Sequence, residues 1–278
     1  MKAQADSVGE LADLFARYPK VLLLTGAGIS TASGIPDYRD RDGVRRGNAP
    51  VQGPEFRRNE AVRRRYWARS MVGWPALARA EPNDGHRAIA ALQAQGRLTG
   101  LVTQNVDGLH QRAGSAGVVE LHGSIHAVVC LDCAAQLTRR LVQSLLERDN
   151  AHLAGAAALP APDGDAHLEP AGLADFRVPC CPRCGGTLKP DVVFFGDGVP
   201  PASSAAAQRA TAAADALLLV GSSVMVYSSF RLCKMAATAG KPVAAVNLGM
   251  TRADHLLAFK TAAPAEQVLP TLARLLGA

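Results

Sequence analysis

The stretch Lys20 to Asp40, KVLLLTGAGISTASGIPDYRD, carries the decisive pattern of this chain. It opens on a short apolar run, Val21 to Leu24, of a length that fits a buried strand. The run breaks into Gly26-Ala27-Gly28. Glycines directly after a buried strand let the backbone turn and approach a ligand with no Cβ in between. N–H groups in such a turn, backed by a helix start, make an anion site, which points to dinucleotide or phosphate chemistry. Gly26 and Gly28 supply G-x-G, but Thr31 stands where a dinucleotide fingerprint would place its third glycine. Taken alone, G-x-G also describes a tight turn. The segment behind it, Ser33-Gly34-Ile35-Pro36-Asp37-Tyr38-Arg39, adds a second Gly/Pro break, an aromatic ring and two charges. A plain connection requires no such set.

The surrounding composition bounds the rest. At 278 residues the chain can form one large domain with a smaller insert. A hydrophobic content of 48% excludes a disordered protein. No apolar run approaches the ~20 residues of a membrane helix, and the first residues lack the apolar core of a signal peptide. A soluble, cytoplasmic protein with no membrane partner is the expectation. The net charge of +6 could favour nucleic acid. The runs Arg45-Arg46, Arg57-Arg58 and Arg63-Arg64-Arg65 come with no nucleic-acid-binding motif, so a solvated basic face is expected instead and no specific nucleic acid.

Six cysteines without a secretion signal argue against a disulfide framework. Four stand as Cys130-x-x-Cys133 and Cys181-x-x-Cys184, the spacing of metal ligands. Four thiolates suit tetrahedral Zn²⁺ and leave no open position for water, so a structural metal is expected. Cys180 and Cys233 fall outside the pairs, and core packing is their expected role.

In chain order, Asp6 to Arg17 predicts an amphipathic helix with Val8, Leu11, Leu14 and Phe15 on one face and a Ser7/Glu10 capping box. Residues 45–82 read as a small helical insert, with Gly73-Trp74-Pro75 as a breaker. A helix is predicted from His86 to Gln95, where His86 caps or packs and Gly96 ends the helix. Strands follow at Leu98 to Thr103 and Val118 to Leu121; the second delivers His122. Residues 134–180 separate the cysteine pairs, with a helical stretch at Leu141 to Leu146 and an Ala/Pro/Gly/Asp loop at 154–166. Lys189 to Asp197 then returns to the main domain. Ala205–Ala214 and Arg231–Ala239 read as helices, Ala216–Val220 and Val243–Val246 as strands. Alternating strands and helices, each strand ending in a small or polar loop, predict an α/β fold: a doubly wound, parallel, Rossmann-like sheet. Its domain would span 1–44, 83–124 and 190–278, with the helical insert at 45–82 and a zinc-binding subdomain at 125–189.

In such a sheet the ends of parallel strands line one edge, where ligands bind. Three of them carry Gly26-Ala27-Gly28, Gly221-Ser222-Ser223 and Asn247-Leu248-Gly249. A fourth delivers Gln104, Asn105 and Asp107. His122 could accept a proton near neutral pH, although a lone histidine is more often structural.

The chain resembles the sirtuins, NAD-dependent protein deacylases. Their pattern GAGIS-x-x-SGIPD-[FY]-R is matched at every specified position from Gly26 to Arg39, and their core signature stands here as TQNVDGLH and ELHG. The segments RYWAR, VGWP, APDGD, LKPDVVFFGD and VGSS-x-x-VYS look most like the class II branch, that of mitochondrial sirtuin 4, and a bacterial member without the targeting presequence is the expectation. The resemblance implies NAD held by Gly26, Ala27, Gly28, Gln104, Gly221, Ser222, Ser223, Asn247, Leu248, Gly249 and Ala265. Tyr38 would also contact NAD, Ile35, Asp37 and Arg39 would wall the nicotinamide pocket, and Asn105 and Asp107 would orient ribose and nicotinamide. It implies His122 as the general base acting on a ribose hydroxyl, once the acyl-lysine oxygen has displaced nicotinamide. The products would be free lysine and O-acyl-ADP-ribose. The alternative within the same half-reaction is protein mono-ADP-ribosyl transfer. It also implies an acyl-lysine peptide or protein pinched between Val193-Phe194-Phe195-Gly196 and the loop ending at Tyr227. Tyr66 and Arg69, three apart on a helix, match a Tyr-x-x-Arg pair that lines the acyl channel of desuccinylating sirtuins. Acyl chains with a distal carboxylate are therefore expected to react at least as well as acetyl.

Overall fold

Val21 to Thr25 are buried throughout and form β1 (Val21–Thr25), the centre of a six-stranded sheet in the computed structural model, which describes residues 2–46, 49–153 and 173–277. The strand needs two apolar faces because both are covered. Val21 and Leu23 pack into a core with α1 (Lys2–Arg17) and the helices α4 (Asp84–Ala94) and α9 (Ala265–Gly277). Leu22 and Leu24 pack on the opposite face with α7 (Pro201–Ala213) and α8 (Tyr227–Thr238). A period of two with both faces apolar is what a buried parallel strand requires.

The sheet order is β3 (Val119–Glu120), β2 (Leu98–Thr103), β1, β7 (Ala216–Val220), β8 (Val243–Val246) and β9 (Leu257–Thr261), all pairs parallel. This is the doubly wound Rossmann order, and its switch point falls between β1 and β7. The chain therefore opens a crevice where Gly26-Ala27-Gly28 and Gly221-Ser222-Ser223 leave the sheet. The strands expected at 98–103, 216–220 and 243–246 stand where the apolar runs put them. Strand β9 and helix α9 come in addition to the strands and helices expected from the sequence.

A second, antiparallel sheet has the order β5 (Gln136–Thr138), β4 (Gly123–Cys130) and β6 (Leu188–Val192). Its hydrophobic residues Val128, Leu188 and Val192 share one core with α2 (Gly53–Arg58), α3 (Glu60–Arg79) and α6 (Arg139–Asp149). The helical insert and the cysteine-bearing segment thus bury their apolar faces against each other. The short helix α5 (Leu109–Arg112) follows β2. The loop expected at 154–166 lies outside the described residues.

Four local expectations are corrected. Helix α1 starts at Lys2, so Ser7 lies inside it and is not its N-cap; the buried face of Val8, Leu11, Leu14 and Phe15 is as expected. Helix α8 starts at Tyr227, four residues before Arg231. Cys180 is exposed, so it is no core residue, whereas Cys233 is buried and its thiol is pushed up to about 12 by that burial. The fourth correction is the largest: Gly73-Trp74-Pro75 does not break α3. Proline has no N–H, so the carbonyl four residues back is left without its helical donor. Here that carbonyl belongs to Met71, and the Gln143 side chain donates to it at 2.9 Å. One turn along α6, Arg139 donates to the carbonyl and hydroxyl of Ser70, both at 3.1 Å, and to Gln143 Oε1 at 2.7 Å. Its guanidinium lies 4.8 Å from the Trp74 ring centroid and 5.5 Å from that of Trp67. Helix α6 thereby supplies from outside, through Gln143, the bond that Pro75 removes from within.

Replacing Gln143 by Leu removes the donor and keeps much of the volume. A buried carbonyl left unpaired costs about 1–3 kcal/mol, so Gln143→Leu is expected to lower the urea midpoint of unfolding. An unchanged midpoint would mean that α3 passes Pro75 without help from α6.

Candidate functional site

The loop after β1 is built on close backbone contact. Gly28 N–H donates to the Gly221 carbonyl at 2.8 Å, and Gly26 N–H to the Val220 carbonyl at 3.1 Å. A Cβ on Gly28 would stand 2.8 Å from the Gly221 oxygen, and one on Gly26 2.6 Å from Ser222 Cβ. Gly221 has φ +57, and its Cβ would meet the Ile29 nitrogen at 2.4 Å. No residue with a side chain fits these three positions unless the two loops separate.

The crevice continues into one cavity of about 630 Å³. That is the size of a site for an extended small molecule. Of the residues expected to hold NAD, the cavity is lined by Gly26, Ala27, Gly28, Asp37, Tyr38, Arg39, Gln104, Asn105, Gly221, Ser222, Ser223, Asn247, Leu248, Gly249 and Ala265. His122 and, of the substrate residues, Tyr66, Val193, Phe194, Phe195, Gly196 and Tyr227 line it too. Three expected residues do not reach the lining. Ile35 packs in the core of the second sheet, Asp107 lies behind the wall, and Arg69 is buried one helical turn beyond Tyr66. The cradle of backbone and small side chains at three strand ends, with Arg39 and Arg231 in the same wall, suits an anionic dinucleotide.

Behind the lining runs a buried polar network. Asn105 donates through Nδ2 to the Gly26 carbonyl and to Ser30 Oγ, both at 3.1 Å. Ser30 in turn donates to Asp107 Oδ2 at 2.7 Å, and Asp107 Oδ1 accepts the Leu109 N–H at 2.9 Å. Asp107 therefore fixes Asn105 through Ser30. His86 and His110 pack edge to face with ring centroids 4.9 Å apart. His86 completes a capping box with Asn83, as a capping role would have it. Burial lowers His86 to about 4 and His110 to about 3, so both are neutral at pH 7. Thr25 Oγ1 meets His110 Nε2 at 2.8 Å and donates to Thr103 Oγ1 at 2.9 Å.

His122 follows β3 at the edge of the cavity. Its Nδ1 lies 3.2 Å from the Gln104 carbonyl and its Nε2 2.9 Å from Ser228 Oγ. A carbonyl only accepts, so Nδ1 carries the proton in that bond and Nε2 holds the lone pair. Burial pushes the His122 pKa down, and the bond to Gln104 partly opposes it. The result is a neutral imidazole with its basic nitrogen set toward the cavity. Gln104 Nε2 also donates to Ser222 Oγ at 2.7 Å, which links the wall beside His122 to the β7 loop. Ser30 and Ser228 were not singled out as site residues. Their signal in the sequence is their place in quoted motifs, Ser30 in GAGIS and Ser228 in VGSS-x-x-VYS, neither of which states what a serine there bonds to.

The sulfurs of Cys130, Cys133, Cys181 and Cys184 all lie within 4.8 Å of one another. Cys130 Sγ is 3.6 Å from Cys184 Sγ, and Cys133 Sγ 3.8 Å from Cys181 Sγ. Tetrahedral Zn²⁺ with Zn–S of about 2.3 Å places its ligands ~3.8 Å apart. The four thiols fit that ion, and Cys180 is not part of the set.

The Sir2 family model matches residues 26–228. The chain belongs to the Sir2 family. It is 56% identical over 253 residues to NAD-dependent protein deacetylase 3 of Pseudomonas syringae pv. tomato, covering 91% of this chain and 90% of that protein. Among solved sirtuin structures, one described as the basis for the mechanism and regulation of Sir2 enzymes aligns with TM-score 0.77 at 32% identity, over 98% of both chains. Another holds a deacetylated p53 peptide with 3′-O-acetyl ADP-ribose; it aligns with TM-score 0.76 at 28% identity, over 96% of this chain and 97% of that one. As a sirtuin, the chain unites the doubly wound sheet with the four-cysteine module seen above.

Zinc in that module is expected to be structural. Metal analysis should find one zinc per chain, and Cys133→Ala should lower both solubility and melting temperature. A metal-free protein that stays folded and active would refute this role.

Proposed function

We propose that the chain is an NAD-dependent protein deacetylase and, more broadly, a lysine deacylase. The observation that carries this is the neutral His122, its Nε2 directed into the cavity that the three Gly/Ser/Asn strand ends also line. The similarity to NAD-dependent protein deacetylase 3 and to the peptide-bound sirtuin structure supports it. We also infer membership of the class II branch, on the segments RYWAR, VGWP and LKPDVVFFGD, and a reducing, cytoplasmic setting in which four thiols stay available to zinc.

NAD, when bound, supplies a ribose carbon carrying a cationic leaving group. Gly26, Gly28 and Ser222 would hold its pyrophosphate and Asn247 its adenosine ribose. Asn105, fixed by Ser30 and Asp107, would orient the reacting ribose. Phe194 and Tyr66 pack edge to face with ring centroids 5.2 Å apart and would keep water from the acyl end of the substrate. His122 Nε2 would take a proton from a ribose hydroxyl, along the direction that the Ser228 hydroxyl marks. Mono-ADP-ribosyl transfer would share the site but leave a heavier protein; the mass of the products separates the two.

His122→Ala is expected to abolish deacylation and to leave NAD binding in place. Turnover like that of the wild type would remove the general-base role. The pH profile gives an independent check. A base is active above its pKa, and burial places that of His122 below the ordinary 6.5. The acid limb of kcat/KM should therefore fall below pH 6.5, and a limb above it would contradict the assignment.

We further propose that Tyr66 and Arg69 set the acyl preference. Tyr66 lines the cavity, and Arg69 lies on the next turn of α3, where a guanidinium turned inward could take a carboxylate in a bidentate fork. A charge-assisted contact of about 1.5–3 kcal/mol would raise glutaryl relative to acetyl turnover roughly tenfold or more. Arg69→Met should lose that preference and keep acetyl. An unchanged ratio, or a wild type that accepts only neutral chains, would end the proposal.

A further inference from the structure

Resting on the deacetylase function above, we propose that Ser228 is a further catalytic residue, whose hydroxyl relays the proton of the ribose hydroxyl to His122. Ser228 Oγ stands against His122 Nε2 at 2.9 Å. Nδ1 carries its proton toward the Gln104 carbonyl at 3.2 Å, so Nε2 accepts and the Ser228 hydroxyl donates. The serine proton thus lies on the line along which the imidazole must gain one. A hydroxyl that donates once still has two lone pairs to accept with. Ser228 lines the cavity, so a bound hydroxyl can reach its oxygen. The same hydroxyl meets Nε2 directly only if Ser228 turns away.

The needs of a helix start do not explain this hydroxyl. Ser228 is the second residue of α8, where serine side chains commonly bond to nearby backbone. Its neighbour Ser229 does so, donating to the Val226 carbonyl at 2.9 Å. Ser228 turns instead to an imidazole 106 residues away in sequence. Arg231, three residues on and on the same face of α8, lines the same cavity. It donates to Ser204 Oγ, its Nε is buried without a partner, and among the described residues it makes no ion pair. A cation there favours the negative charge that builds on the relay oxygen. The step balances. Ser228 Oγ takes the ribose proton as its own proton passes to Nε2, and the ribose oxygen uses the freed electron pair to bond the acyl carbon. The serine ends as a hydroxyl and His122 as an imidazolium, so no further reactant is required.

The test compares the wild type, Ser228→Ala and Ser228→Thr on one acetyl-lysine peptide with NAD, and follows two products. One is the deacetylated peptide. The other is NAD that has taken up labelled nicotinamide from solution, which reports the step before a base is needed. Ser228→Ala should lower deacetylation relative to exchange by about tenfold or more. Ser228→Thr keeps a hydroxyl and should restore most of that ratio. A Ser228→Ala enzyme with the wild-type ratio would overturn the relay, because the ribose hydroxyl then reaches Nε2 unaided. An equal loss of both products would overturn it too, since Ser228 would then only shape the cavity. So would a threonine variant no better than the alanine one. Should the wild type itself release no deacetylated peptide, the deacetylase function fails and the relay falls with it.

Discussion

The contact between Gly28 and Gly221 is the constraint on which the site depends. Two strands that are neighbours in the sheet, β1 and β7, leave it in loops whose backbones touch, with an N–H···O bond of 2.8 Å and no room for a Cβ. The contact sets the turn Ala27–Ile29, which carries Ser30 to the end of β2. There Ser30 meets Asn105 and Asp107. On the other side the same contact sets Ser222, which meets Gln104. The Gln104 carbonyl in turn holds His122 in the tautomer that leaves Nε2 basic. The chemistry of one imidazole thus traces back through single hydrogen bonds to a backbone approach that glycine alone allows.

Much of this was legible in the sequence because its causes are local. A buried parallel strand announces itself as an unbroken apolar run, and Val21–Leu24 and Ala216–Val220 do so. Metal ligands announce themselves by spacing, and the four cysteines meet as their spacing implied. What could not be read has its cause elsewhere in the chain. Gly73-Trp74-Pro75 is a breaker by every local rule. It is overruled by Gln143, whose donor reaches Met71 from another helix. Ser7 and Glu10 have the spacing of a capping box, yet the helix starts earlier, where no strong cap marks it. Cys180 looks as apolar as Cys233, but only Cys233 faces a packed sheet. For Asp107 the strand exit placed it near the site, and only the structure shows it acting from behind, through Ser30.

The same long-range logic explains why the cysteine module matters to a cavity that its metal does not touch. Helix α6 lies between the two cysteine pairs in sequence and packs against α3, whose Tyr66 reaches the cavity. Arg139 on α6 is fully buried, and burial lowers its pKa to about 10. It remains a cation at pH 7, and among the described residues it forms no salt bridge with a carboxylate. A buried charge in that condition is costly unless other dipoles and rings replace water. Two indole faces, the Ser70 carbonyl and hydroxyl and the Gln143 amide oxygen do so here.

Such an arrangement tolerates little displacement. Every group that solvates Arg139 except Gln143 belongs to α3, so sliding α6 by one turn would leave the cation unsolvated and the Met71 carbonyl open at once. The two helices are therefore locked in register by electrostatics as well as by packing. Tyr66 sits one residue from Trp67, the ring against which Arg139 lies, with ring centroids 5.4 Å apart. The cavity wall that carries Tyr66 is thus held from behind by the module that the four cysteines close. A metal with no open coordination position can in this way govern the shape of a site without taking part in its chemistry.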